Sequence, residues 1–344
     1  MRNKRQKSNS ISLKTIPSEF MTSMKSKGWK KLSLRAVIEL AAPQTWGASI
    51  MPILLATALA ISVGEKFSFP LFYSLLGASV LLQCAVNTLN DYSDFVSGVD
   101  KKDNCIDPTD ASIIYNDYDP VLAFAVGVLF MVLALACGLY AIFVAGPLLI
   151  VFGLIGAAVI FLYSFGLLPI AYTAWGELIS GVIMGGLITF ASYFAFTGMI
   201  SLMVIVYSIP LIITIGLIML TNNICDIEKD TESYKITLPI LLGKTYAKFL
   251  HFLLFLGALL SVTLIVVFNF SGSIWLLPLF AVVLIPLEYK LQKDGLTPEK
   301  RIFSMSLTTK TNIILATFYA AMILINKIAV EATPISPFFS ELFR

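Results

Sequence analysis

Nine apolar runs, most of them close to twenty residues long, leave this 344-residue chain little choice of fold. They lie at 37–63, 69–90, 120–145, 147–169, 175–197, 202–222, 247–269, 273–290 and 309–328. Most reach the ~20 residues that a helix needs to cross a bilayer. Only 13% of the residues are charged, about half the share of a soluble domain. The expected fold is therefore all-α: one polytopic membrane bundle of nine transmembrane helices over residues 36–330. The third and fourth spans are joined by a turn at Ala145-Gly146-Pro147. Residues 1–35 are basic and lack the apolar core of a signal peptide, so they are expected to form a flexible cytoplasmic tail touching anionic lipid. Residues 331–344 make a short extracytoplasmic tail.

Nine spans put the N-terminal tail and loops 2–3, 4–5, 6–7 and 8–9 on one side. That side collects 21 of the 24 Lys and Arg residues. The positive-inside rule makes it cytoplasmic, in the cell membrane. The four cysteines have no paired or zinc-like spacing, and nothing points to nucleic acid or to an obligatory protein partner.

Two polar clusters interrupt this pattern, both at span ends on the basic side. The first runs from Asn87 to Asp100 at the end of the second span. On a helix Asn90 and Asp94 are one turn apart with Asp91 beside them, so an amide and two carboxylates share a face. The second, Asn222…Asp226…Asp230, ends the sixth span and repeats the Asn90…Asp94 spacing 132 positions later. Four helices with an Asn/Asp end on the second of each set make a weak internal repeat.

Carboxylate pairs facing one another repel unless a cation sits between them. Oxygen-only donors favour a hard ion, and one or two carboxylates per ion suit Mg²⁺ bridging to substrate phosphates. Lys101, Lys102, Lys229, Lys235 and Lys244 stand nearby to grip the remaining phosphate charge. Such a mouth on an apolar bundle suits a ligand with a diphosphate head and a long hydrocarbon tail. A solvated acidic loop is the plain alternative for one cluster alone. A cation or lipid transporter more often buries its carboxylates mid-span. The Asp-Gly-x-x-Ala-Arg pattern of the CDP-alcohol phosphotransferases is absent.

At these residues the chain resembles the UbiA superfamily of intramembrane aromatic prenyltransferases, and within it the 1,4-dihydroxy-2-naphthoate polyprenyltransferase branch. The family's first motif matches Asn90, Asp91, Asp94 and Asp100, with Asn87 upstream. Its second matches Asn222, Asp226, Asp230, Lys235, Thr237, Leu238, Leu242 and Gly243. Weaker echoes are Pro43-Gln-Thr45, Pro52 and Tyr163-Ser-x-Gly166…Pro169…Tyr172…Gly176-Glu177. The chain departs from the family at Ala42 and Ile236, where arginine is usual, and in loop 2–3, where lysines stand.

The resemblance implies that Asn90, Asp91, Asp94, Asp226 and Asp230 hold Mg²⁺ on a polyprenyl diphosphate, with Lys235 stabilising the leaving charge. Asn87, Tyr92, Asp100, Lys101, Lys102, Tyr163, Tyr172, Asn222 and Lys229 would bind substrate. The three tyrosines would face an allylic carbocation. The prenyl group would pass to an aromatic acceptor, 1,4-dihydroxy-2-naphthoate, with loss of CO₂, giving demethylmenaquinone. Acceptors such as 4-hydroxybenzoate, haem or a chlorophyll-type alcohol stay open. Glu177 is expected to cap its helix N-terminus, with help in binding the acceptor as the alternative, and His251, the only histidine, to lie at the interface.

Overall fold

A computed structural model describes residues 28–97, 111–164, 169–233 and 235–332. Asp100, Lys101, Lys102 and most of both tails lie outside these residues. The described residues form an all-helical bundle whose only β pairing is an isolated bridge between Lys30 and Tyr118. The helices are α1 (Leu34–Ala41), α2 (Gly47–Ser62), α3 (Phe69–Ser97), α4 (Ser112–Asn116), α5 (Pro120–Ala145), α6 (Leu148–Ser164), α7 (Gly176–Thr197) and α8 (Met203–Cys225). They continue as α9 (Ile227–Glu232), α10 (Leu238–Leu242), α11 (Lys244–Asn269), α12 (Leu277–Asp294) and α13 (Arg301–Ala332).

Each expected span has a helical counterpart, but two differ in form. Seven helices, some with a short lead-in turn, are long and apolar enough to cross a bilayer. The expected fourth span is shorter: its apolar helix, Leu148–Tyr163, rises ~24 Å at 1.5 Å per residue, less than the ~30 Å of a hydrocarbon core. The expected first span is broken, with 57° between its two parts. The break follows from Ala42, which adopts a left-handed conformation at φ 48°, and from Pro43, which cannot donate to the preceding turn.

The carbonyls that end α1 are satisfied from elsewhere, as buried helix ends require. Asn87 Nδ2 and Trp46 Nε1 both donate to the Ala41 carbonyl, at 3.1 and 3.0 Å. Thr88 Oγ1 donates to the Leu40 carbonyl. Side chains of α3 thereby hold the bend in the first span.

The core joins α2, α8, α11, α12 and α13 through Leu55, Leu211, Phe255, Phe280 and Tyr319, all buried. On α5 the stripe Leu129, Val132, Leu135 and Leu139 is exposed, the lipid-facing side of a membrane helix. Helices α7 and α8 approach more closely than any larger residue would allow. A Cβ on Gly181 would lie 2.3 Å from the Ile212 carbonyl oxygen, and one on Gly185 2.6 Å from the Ile212 nitrogen. This contact falls within a π-helical stretch, Gly181–Leu187. Gly185→Leu should force α7 from α8, an overpacking that costs ~1–3 kcal/mol or more. A detergent melt of the purified protein should show a lower midpoint, and an unchanged midpoint would count against the close contact.

Candidate active site

The long helix α3 carries the first motif without interruption to Ser97, and α8 passes into α9 through the second. Asp226 N donates to the Asn222 carbonyl and Asp230 N to the Asp226 carbonyl, so one helical path presents Asn222, Asp226 and Asp230 a turn apart. The chain then turns back, with Lys235 N donating to the Asp230 carbonyl. This folds the lysine onto its own motif. Lys235 Nζ lies 3.0 Å from Asp230, whose side chain is 4% exposed. Ile236 N donates to the Tyr172 carbonyl, which ties in the loop after α6 and puts the Tyr172 ring 5.4 Å from the Lys235 ammonium.

Charges of both motifs act on this lysine. Burial is the largest influence on Lys235 and disfavours its charge. The Asp230 charge, its hydrogen bond to the lysine and the Asp94 charge together outweigh it, so the ammonium titrates above the usual lysine value. Burial and the Asp94 charge raise Tyr172. Asp94, Asp230, Lys235 and Tyr172, from α3, α9 and the two connecting loops, therefore form one electrostatic group. Tyr163 stands beside it, within the field of Glu177 and Asp230.

Other expected site residues are placed differently. Asp91 accepts from the backbone amides of Ser112 and Ile113 at 3.0 and 3.5 Å, holding the short helix α4 to α3. Asn87 spans the bend in the first span, donating also to Thr45 Oγ1. Tyr92 stacks at a tilt on Phe124, 5.1 Å between ring centres, and packs among Leu40, Phe95 and Ile113. Asn90 and Lys229 are half-buried on their motif helices.

Two further groups emerge only from the tertiary structure. Arg301, at the start of α13, donates through Nε to Asp226 at 3.1 Å and through Nη2 to Asn222 Oδ1. No motif contains it, and 75 positions separate it from Asp226. Glu177 is buried and accepts from Asn223 Nδ2 at 2.8 Å, while its Oε2 has no hydrogen-bond partner among the described residues. The expected cap is therefore a cross-link from α7 to the residue beside Asn222. His251 is corrected outright. It is fully buried, with Nε2 3.0 Å from Thr221 Oγ1 and Nδ1 3.1 Å from Glu288.

Among the described residues no three His, Cys, Asp or Glu side chains converge as a ready-made metal cage. The donor set still fits a hard dication. It offers only oxygens, and two of its carboxylates already face a positive charge, Asp230 at Lys235 and Asp226 at Arg301. One or two carboxylates per ion, with phosphate and water completing the shell, is the habit of Mg²⁺. A cavity of about 540 Å³ opens at the far ends of α2, α11 and α13, lined by Tyr207, Asn269 and Lys327, away from both motifs.

The family model described as "UbiA prenyltransferase family" matches residues 49–328. The chain is 34% identical over 275 residues to the 1,4-dihydroxy-2-naphthoate octaprenyltransferase of Bacillus subtilis, covering 80% of this chain and 87% of that one. Its fold is similar to that of a UbiA homolog from Archaeoglobus fulgidus solved with DMAPP and Mg²⁺, at 13% identity and TM-score 0.59, covering 83% of this chain and 98% of the other. The same homolog bound to GPP and Mg²⁺ gives 14% identity and TM-score 0.60 over 84% and 99% of the two chains.

Lys235→Met would leave the buried Asp230 carboxylate unpaired, a loss of ~3–5 kcal/mol for a broken buried pair. The midpoint of a metal-free melt at pH 7 should fall clearly. Adding Asp230→Asn should recover most of the loss, and additive losses would argue against the pairing. Because the folded-state pKa of Lys235 is raised, its contribution is fully present below the ordinary lysine value and fades only above it.

Proposed function

The chain belongs to the UbiA prenyltransferase family, and on that premise we propose that it transfers a polyprenyl group from a polyprenyl diphosphate to 1,4-dihydroxy-2-naphthoate, with loss of CO₂, to give the quinol (reduced) form of demethylmenaquinone. The chain is a prenyltransferase and a multi-pass membrane protein. The acceptor rests on its likeness to the Bacillus subtilis enzyme over most of both chains. The observation that carries the chemistry is the buried Asp230–Lys235 pair at the end of the second motif helix, within the electrostatic reach of Asp94 on the first.

Asn90, Asp91, Asp94, Asp226 and Asp230 would hold Mg²⁺, with Asn222 beside them, at the mouth of the bundle. When bound, the ion supplies Lewis-acid neutralisation of the diphosphate. Lys235 offers a fixed positive charge to the leaving oxygens, where a preorganised donor is most effective. The allylic C–O bond breaks, diphosphate leaves, and the apolar helices keep water from the cation. Tyr172 and Tyr163 present their rings to that positive charge, an attraction worth ~2 kcal/mol when desolvated. The carboxylate-bearing ring carbon of the acceptor bonds to the prenyl carbon. Its bond to CO₂ then breaks, and the electron pair restores the aromatic ring.

The side carrying 21 of the 24 cationic residues would be cytoplasmic, with the basic N-terminal tail on it, the bundle at 36–330 and the short C-terminal tail outside.

Asp94→Ala and Asp226→Ala should each abolish prenyl transfer while the protein still inserts into membranes, and full activity in either would sink the metal assignment. Turnover should stop in EDTA and return with Mg²⁺ or Mn²⁺. Membranes given a polyprenyl diphosphate and a panel of aromatic acceptors, with products read by mass, test the acceptor. Prenylation of 4-hydroxybenzoate in place of the naphthoate would overturn that choice.

A further inference from the structure

The last helix supplies a cation that no motif announces. Arg301 reaches the second motif from α13, holding the Asp226 carboxylate and the Asn222 amide oxygen at once. Its side chain is 11% exposed and that of Asp226 12%, so this contact is largely shielded from water rather than a loose surface pair. Both partners are positions expected to meet an ion or a diphosphate. A guanidinium on them and a dication on them are alternatives for the same negative charge.

The backbone around Arg301 is held in place. Leu296 N donates to Ser304 Oγ and Ser304 Oγ to the Lys300 carbonyl, which fixes the entry into α13. Beyond it, α13 is bonded to α8 by two more polar rungs on the same face. Thr308 Oγ1 lies 3.0 Å from Thr221 Oγ1, which also meets His251, and Asn312 Nδ2 donates to Thr214 Oγ1 at 2.7 Å. The guanidinium is thus aimed by a rigid helix pair. Its planar fork has the geometry that matches phosphate oxygens.

We propose that Arg301 is a diphosphate-binding residue of this enzyme. In the ion-free site it neutralises Asp226. When an ion and a diphosphate enter, it yields that carboxylate to the ion and turns its fork to the phosphate oxygens. The inference rests on the prenyl-diphosphate reading above and assigns that site a further residue.

The test uses purified full-length protein in detergent, with Mn²⁺ followed by its paramagnetic resonance signal and inorganic pyrophosphate followed by calorimetry. Arg301→Gln should bind Mn²⁺ alone several-fold more tightly, because the competitor for Asp226 is gone. The same variant should bind pyrophosphate with Mn²⁺ about ten- to a hundredfold more weakly, the loss expected for a charged hydrogen bond. Arg301→Lys should fall between the two proteins in both measurements. Thr308→Val, which removes a rung without removing charge, should lower the melting midpoint and leave both affinities near wild type. Unchanged pyrophosphate affinity in Arg301→Gln overturns the inference, as does an equal loss in Thr308→Val. Wild-type protein that binds neither Mn²⁺ nor pyrophosphate overturns the functional reading itself, and this inference with it.

Discussion

A charged carboxylate almost wholly removed from water is costly unless a positive charge or hydrogen-bond donors stand beside it, and the working end of this bundle is arranged around that requirement. Asp230 is 3% exposed and has Lys235 against it. Asp226 has Arg301. Asp94 acts on the same lysine from the other motif helix. The side chains that would bind an ion and a diphosphate are held by cations of the chain itself. On the proposed function, binding would therefore be an exchange of partners rather than the filling of a bare acidic pocket, with the balance between resident and incoming cations setting how readily the site loads.

The rest of the bundle holds these groups in register. Glycines at 181 and 185 let α7 approach the backbone of α8, and this brings Glu177 within hydrogen-bond reach of Asn223, next to a motif residue. On the opposite side of α8, threonine, histidine and asparagine rungs bind it to α11 and α13. Lipid offers these polar groups no partner, so they must find one another. The same rule shapes the bend in the first span, where the open carbonyls of α1 are met by Asn87, Thr88 and Trp46.

Much of this was legible from the amino-acid order. Apolar runs mark helices because length and hydropathy alone decide what crosses a bilayer. The two Asn/Asp clusters stand out because charge at a membrane helix end is costly without a purpose. Spacing of four residues put Asn222, Asp226 and Asp230 on one helical path, and the hydrogen bonds agree. The lysine of the second motif was also within reach of reading, since it lies five residues from the aspartate it pairs with.

What depended on contacts between distant helices was not legible. Arg301 and Asp226 are far apart in the chain, and no periodicity links them. Tyr92 sits between motif residues yet turns to Phe124, because neighbours on a helix point some 100° apart. His251 follows a lysine-bearing helix start and looks interfacial, but the packing of α8, α11 and α12 encloses it completely. The sequence by itself determined that the chain is a membrane helix bundle with two acidic motifs at one end. The tertiary structure decided which cation faces which carboxylate, because that pairing depends on how helices rotate and dock, and docking depends on every packed face at once.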